Sequence, residues 1–264
     1  MSGAMGHTLQ IALPQFQAFM IILLRVGGIL AAWPILGTAI IPLQIKTGLV
    51  LMLALVLFPI IHLPPLQADP FKMGAGMASE FLVGMVLGMA VRFVFAGVEL
   101  AGELIGSQMG LSIIQLFDPL MAHQTPVISQ FQTVLASLIF LALNIHLVVV
   151  RVIAESFQLI PPFGAHLSMA LLDEVLRLSQ GLFVLAVKLS APVLAVVLLV
   201  NLGLAIMGRS VSQLNVFVTS FPLTIAAGLF VMGAALPYGG DLLEFEYGRL
   251  YDTVSDLMRL LGHG

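Results

Sequence analysis

Apolar runs long enough to cross a bilayer follow one another along almost the whole chain, at 11–31, 38–61, 73–101, 127–154, 176–207 and 214–236. A helical span needs about 20 predominantly apolar residues, so runs of this length leave few other folds open. The expected fold is all-α: a polytopic helical membrane protein with about six long apolar helices. Composition agrees, with 60% hydrophobic and 9% charged residues and a mean hydropathy of +1.11. A soluble domain carries about a quarter charged residues. Trp33-Pro34, Leu63-Pro64-Pro65 and Ile160-Pro161-Pro162 punctuate the runs, and X-Pro steps of this kind break helices. Pro14, Pro59, Pro192 and Pro222 fall inside runs and are expected as kinks, which neighbouring helices can satisfy in a membrane. The first ten residues hold no Lys or Arg, so the first run is expected to stay as a mature helix rather than act as a signal peptide.

The last stretch differs in kind. Leu243, Tyr247, Leu250, Val254, Leu257 and Leu261 keep a heptad-like spacing, with Glu244, Glu246, Asp252, Asp256 and Arg259 on the other side. That pattern predicts an amphipathic helix over 241–264. Its polar face is mostly acidic, whereas a helix lying on lipid usually has a basic one. Docking on protein is the expectation.

Much chemistry is excluded by what the chain lacks. A net charge of −3 without any basic run gives no nucleic-acid footprint. Zero cysteines remove disulfides, thiolate catalysis and cysteine metal sites. His7, His62, His123, His146, His166 and His263 have no metal-ligand spacing, so neither metal nor cofactor is expected. His146, beside Asn144, reads as a hydrogen-bonded packing histidine before a proton relay or haem ligand. No phosphate loop, dinucleotide fingerprint or H-E-x-x-H occurs. The chain does not read as an enzyme.

The third run carries the polar groups. Glu80, Gly84, Gly88, Arg92, Glu99, Gly102, Glu103, Gly106 and Gly110 recur at three, four or seven residues. At about 100° per residue they share an arc of roughly 140°. Small residues at this spacing let another backbone approach. Each charge costs on the order of 3 kcal/mol at mid-bilayer, so Glu80, Arg92, Glu99 and Glu103 are expected to find partners on other helices or other chains, or to meet water. Met73, Met77, Met85, Met89 and Met109 gather in and beside the segment, and methionine re-packs readily. Beyond Gly110 the chain becomes too polar for a span and too apolar for a free loop, which suits a protein-lined cavity.

The ordered set Gly102, Glu103, Ile105, Gly106, Gln108, Met109, Gly110, Leu111, Ser112, followed by Phe117-Asp118-Pro119, resembles the signature of the FliR family. These are export-gate subunits of the flagellar type III secretion apparatus. Arg25, the Ala32-Trp33-Pro34-Ile35 step, Ile41-Pro42, Asn201-Leu202-Gly203-Leu204 and Phe221-Pro222-Leu223 fit the same pattern. Met109 after Gln108, where injectisome relatives tend to carry arginine, points to the flagellar branch. The resemblance implies a FliP-like helical portion over 1–175 with a pore plug at about 106–123. It also implies a FliQ-like hairpin over 176–240 with its tip at 208–213. Implied plug residues are Gly106, Gln108, Met109, Gly110, Ile113, Ile114, Leu116, Phe117, Asp118 and Pro119. Implied partners are FliP-like and FliQ-like subunits, an FlhB-like switch protein and unfolded export substrates. The implied place is the bacterial inner membrane within the flagellar basal body. The family arrangement puts the termini outside, whereas the weak excess of Lys and Arg would put them in the cytoplasm. The competing reading is an ion or small-solute transporter that uses the Glu80, Arg92, Glu99 and Glu103 face.

Overall fold

The computed structural model describes residues 2–33, 41–63, 69–111, 126–210 and 216–262. Among these every regular element is a helix: α1 Ser2–Ala32, α2 Leu43–Leu57, α3 Pro70–Gln108, α4 Val127–Ala142, α5 Ile145–Leu159, α6 Met169–Ser210, α7 Val216–Ala234, α8 Leu236–Gly248 and α9 Leu250–Gly262. Pro42 and Pro126 occupy the N-cap positions of α2 and α4 with extended backbone (ψ 145° and 138°). Each proline fixes φ and has no N–H to leave unpaired, so it is tolerated where the helix begins.

The six expected spans are revised. Among the described residues three helices, within α1, α3 and α6, are long and apolar enough to cross a membrane singly, and up to five spans result if each bent pair counts as one. The second run yields only α2, whose 15 residues rise about 22 Å against a hydrocarbon core of about 30 Å. The fourth run bends by 68° between α4 and α5, where Asn144 takes φ 55°. The sixth is α7, and the chain bends by 54° at its end, before α8. Conversely, α3 has 39 residues and α6 has 42. At 1.5 Å per residue they rise about 58 and 63 Å, so part of each lies outside the hydrocarbon at any ordinary tilt. Pro14, Pro192 and Pro222 do lie inside continuous helices, whereas Pro59 falls in the turn just after α2.

The chain forms two compact units that interleave in sequence. The first comprises Met1–Arg92, Asn144–Arg177 and Arg249–Gly264. Its centre is the crossing of α1 and α3. A Cβ on Gly28 would overlap the Phe81 carbonyl, and one on Gly84 would overlap the Arg25 carbonyl. One on Gly88 would come within 2.7 Å of the Ile29 carbonyl. Glycine is what lets these backbones touch, and in lipid such close packing substitutes for the missing hydrophobic drive. Ile21, Ile22, Val26, Val83 and Leu87 fill the space beside the crossing. In the same unit α9 buries Leu250, Val254, Leu257 and Leu261 and exposes Asp252, Asp256 and Arg259. It docks on α5, with the Leu159 carbonyl against Gly262.

The second unit comprises Phe93–Leu143 and Leu178–Gly248. Phe95, Phe140 and Tyr247 form a ring cluster with centroids 5.5–6.0 Å apart. The Tyr247 hydroxyl donates to the Ala136 carbonyl at 3.1 Å. A second core joins Ile105, Met109, Ile128, Val193 and Val197. The amphipathic C-terminal segment is thus two helices broken at Arg249, and its apolar face is buried by this same chain.

Candidate functional site

Glu80 marks the first notable polar site. It is buried, and so is Arg25 from α1. The Arg25 Nε donates to Glu80 Oε2 at 2.7 Å, and Nη2 lies 2.6 Å from the same oxygen. The remaining donors cap the end of α5: Nη1 reaches the Ser156 carbonyl at 2.9 Å, and both Nη atoms reach the Ile160 carbonyl at 3.2 Å. A cation at a helix C-terminus also meets the favourable end of the helix dipole. The Phe157 ring covers the guanidinium at 4.1 Å, a cation–π contact.

The second carboxylate oxygen, Oε1, accepts the Phe163 N–H at 2.9 Å. Phe163 has φ 60°, and Gly164 N–H closes the turn onto the Pro161 carbonyl at 2.9 Å. That is the positive-φ position of a type II turn, normally glycine. A Cβ on Gly76 would overlap the Phe163 ring, so its absence makes room for that ring. Glu80 was expected to find partners on other helices or other chains, or to meet water. It is saturated within its own chain, and the other stripe members differ from it. Arg92 and Glu103 are exposed, and Glu99 is half-buried.

The other site is the end of α3, in the second unit. Gly102 lies directly on Ser129 of α4, whose hydroxyl donates to the Glu99 carbonyl at 2.9 Å. Gly106 is different, because a Cβ there would meet nothing closer than 3.9 Å. Gly110 ends the helix with φ 83°. Leu111 N–H bonds the Gly106 carbonyl at 3.0 Å and Gly110 N–H bonds the Ser107 carbonyl at 3.1 Å. Those are the two bonds of a Schellman motif, with glycine at the left-handed position and an apolar residue following it. Leu111 supplies the apolar contact by packing on the core that holds Ile105. The glycine triplet 102, 106, 110 therefore combines one close contact, one neutral position and one helix stop.

A model of the family described as bacterial export proteins, family 1, matches residues 16–249. Over 238 residues the chain is 31% identical to the flagellar biosynthetic protein FliR of Escherichia coli (strain K12), covering 89% of this chain and 90% of that one. It is 32% identical over 259 residues to the protein of that name from Bacillus subtilis (strain 168), covering 94% and 96%. The chain belongs to the FliR family. Membership makes it a flagellar biosynthetic export protein, and its long apolar helices make it a membrane protein. A further FliR, from Aquifex aeolicus (strain VF5), is 31% identical over 214 residues, 81% of this chain and 83% of that one.

Of the plug residues that the family resemblance implies, Gly106, Gln108, Met109 and Gly110 are described. Gln108 is exposed, and Met109 is fully buried in the second core. Ile113, Ile114, Leu116, Phe117, Asp118 and Pro119 lie outside the described residues. Phe221, one of the resemblance residues, turns its ring onto Gly110. Sequence reasoning did not single out Ser129, Ser156, Thr224 or Gly228. Thr224, between Leu223 and Ile225, stands as a hydroxyl with apolar neighbours on both sides, the one signal that was there to read. Among the described residues no group of His, Asp or Glu is placed to hold a metal ion. The buried Nδ1 of His146, expected to be hydrogen-bonded, has no partner among the described residues.

Proposed function

We propose that this chain is a structural and gating subunit of the flagellar type III protein export gate. With FliP-like and FliQ-like subunits it forms the pore through which unfolded flagellar proteins leave, in the bacterial inner membrane within the basal body. An FlhB-like protein is its switch. Residues 1–175 are the FliP-like portion, 176–240 the FliQ-like hairpin, and about 106–123 the plug. The observation that carries this reading is the relationship to FliR proteins over most of the chain. The geometry adds a reason: α3 ends abruptly at a glycine stop, at the root of the proposed plug. A pore wide enough for an unfolded chain leaks ions unless something deformable fills it, and a glycine-rooted segment with Met, Ile, Leu and Phe can re-pack around any cargo.

The transporter reading loses its first member, since Glu80 is buried and saturated by Arg25 and Phe163. The test is deletion of 112–117 in the assembled complex. Ion conductance of the membrane should rise while FliP-like and FliQ-like subunits still co-purify. Unchanged conductance with the complex intact overturns the gating role.

A further inference from the structure

The point where the chain leaves α3 is held by one face of α7. Thr224 is buried, and its hydroxyl donates first to the Ser220 carbonyl of its own helix at 2.9 Å, sharing the proton with the Met109 carbonyl at 3.3 Å. That carbonyl lies one residue past the last residue of α3, at the helix end where carbonyls call for partners from outside the helix. Four residues on, Gly228 lies so close to Met109 that an added Cβ would sit 2.8 Å from its Cγ and Sδ. Three residues before Thr224, the Phe221 ring is 2.7 Å from where a Cβ on Gly110 would stand. Residues 221, 224 and 228 recur at three and four, so they form a single stripe of α7. Ile225 beside it packs on the same core as Leu111. Every contact is local to this helix end and reaches backbone or side chain at 109–111.

We propose that Phe221, Thr224 and Gly228 are the positioning residues of the gate: α7 latches the end of α3 at Met109–Gly110, and the latch must part for export. The proposal rests on the gating reading above and adds what holds the closed state. Ring contact, one hydrogen bond and one glycine-sized recess form a grip that is specific in shape yet weak enough to release. The hydrogen bond is shared with the hydroxyl's own helix, and the rest is packing that a modest shift of α7 would undo.

The chain has no cysteine of its own, so the latch can be tied with a single disulfide. In Met109→Cys with Gly228→Cys, the new sulfur at 109 takes about the place of the present Cγ, which suits bridging geometry. In the assembled complex, oxidation should form that bond, stop secretion of a flagellar substrate and leave conductance low. Reduction should restore secretion. Separately, Thr224→Val and Gly228→Ala should raise resting conductance without loss of partner subunits. An oxidised, cross-linked complex that secretes as fast as the reduced one overturns the latch, as does failure of the bond to form in an assembled complex. If deletion of 112–117 raises conductance while Thr224→Val and Gly228→Ala both stay at wild type, the latch alone is wrong. If that deletion changes nothing, the gating reading itself fails.

Discussion

Arg25 and Glu80 make the case that a charge in an apolar chain is tolerable only when every donor and acceptor is met. The guanidinium has the carboxylate on one side and the carbonyls of Ser156 and Ile160 on the other. Removing one partner leaves the other charged and dry, a loss of about 3–5 kcal/mol, whereas replacing both with apolar groups of similar size can be neutral. Arg25→Ala and Glu80→Ala should each sharply lower the yield of folded protein from detergent, and Arg25→Met with Glu80→Leu should recover most of it. A double variant as poor as the singles would show that the pair does more than satisfy itself. Glycines divide in the same way. Gly84→Val drives a side chain into the Arg25 carbonyl and should break the α1–α3 crossing, while Gly106→Ala, with open space to 3.9 Å, should be tolerated. Equal effects on thermal stability would contradict this ranking. The stripe of glycines and charges was legible from spacing alone. Which glycine is tight was not, because that depends on the residue opposite. The Arg25–Glu80 pair spans 55 positions, a separation that no local periodicity encodes.

At the level of the helices, hydropathy found the apolar segments but overestimated how many cross on their own. The run 127–154 is apolar on both sides of its break, so nothing in hydropathy marks a bend. The only cue is Asn144, a residue type that accepts the left-handed conformation more readily than most. The break at Arg249 had a cue as well, Gly248 in front of it, yet the heptad spacing continues straight through. Spacing predicted faces well for a simple reason: Leu250, Val254, Leu257 and Leu261 are all buried, although no single span was assigned to them. Removing 249–264 would expose the apolar surface of α5 on which α9 docks. That truncation, or Leu257→Asp, should prevent accumulation of the protein in membranes. Asp256→Ala, on the exposed face, should change stability by no more than about 0.5 kcal/mol. Normal accumulation of the truncated chain would mean that α9 is an appendage rather than part of the core.

For the whole molecule, the decisive quantity is what the exposed polar face meets in the assembly. Arg92 and Glu103 are exposed on α3, but Arg92 also has an interaction within the chain, so it is Glu103→Ala that should leave the chain's own fold intact. Any loss of assembly then reports a contact made with another subunit. If Glu103 is desolvated at such a contact, Glu103→Ala strands a partner charge at a cost of about 3–5 kcal/mol. That is at least a hundredfold in association, at 1.4 kcal/mol per factor of ten. Co-purification of FliP-like and FliQ-like subunits should then fall steeply for Glu103→Ala while the yield of the chain alone holds. Should Glu103 instead line a wet channel, water replaces the lost group and assembly is nearly normal, with export or leakage altered. A transporter behaves in neither way: the isolated chain, reconstituted without partners, would carry coupled solute or proton flux that Glu103→Gln abolishes. Robust flux of that kind would sink the export-gate reading, whereas a steep loss of partners with no flux from the chain alone would place Glu103 at the subunit contact.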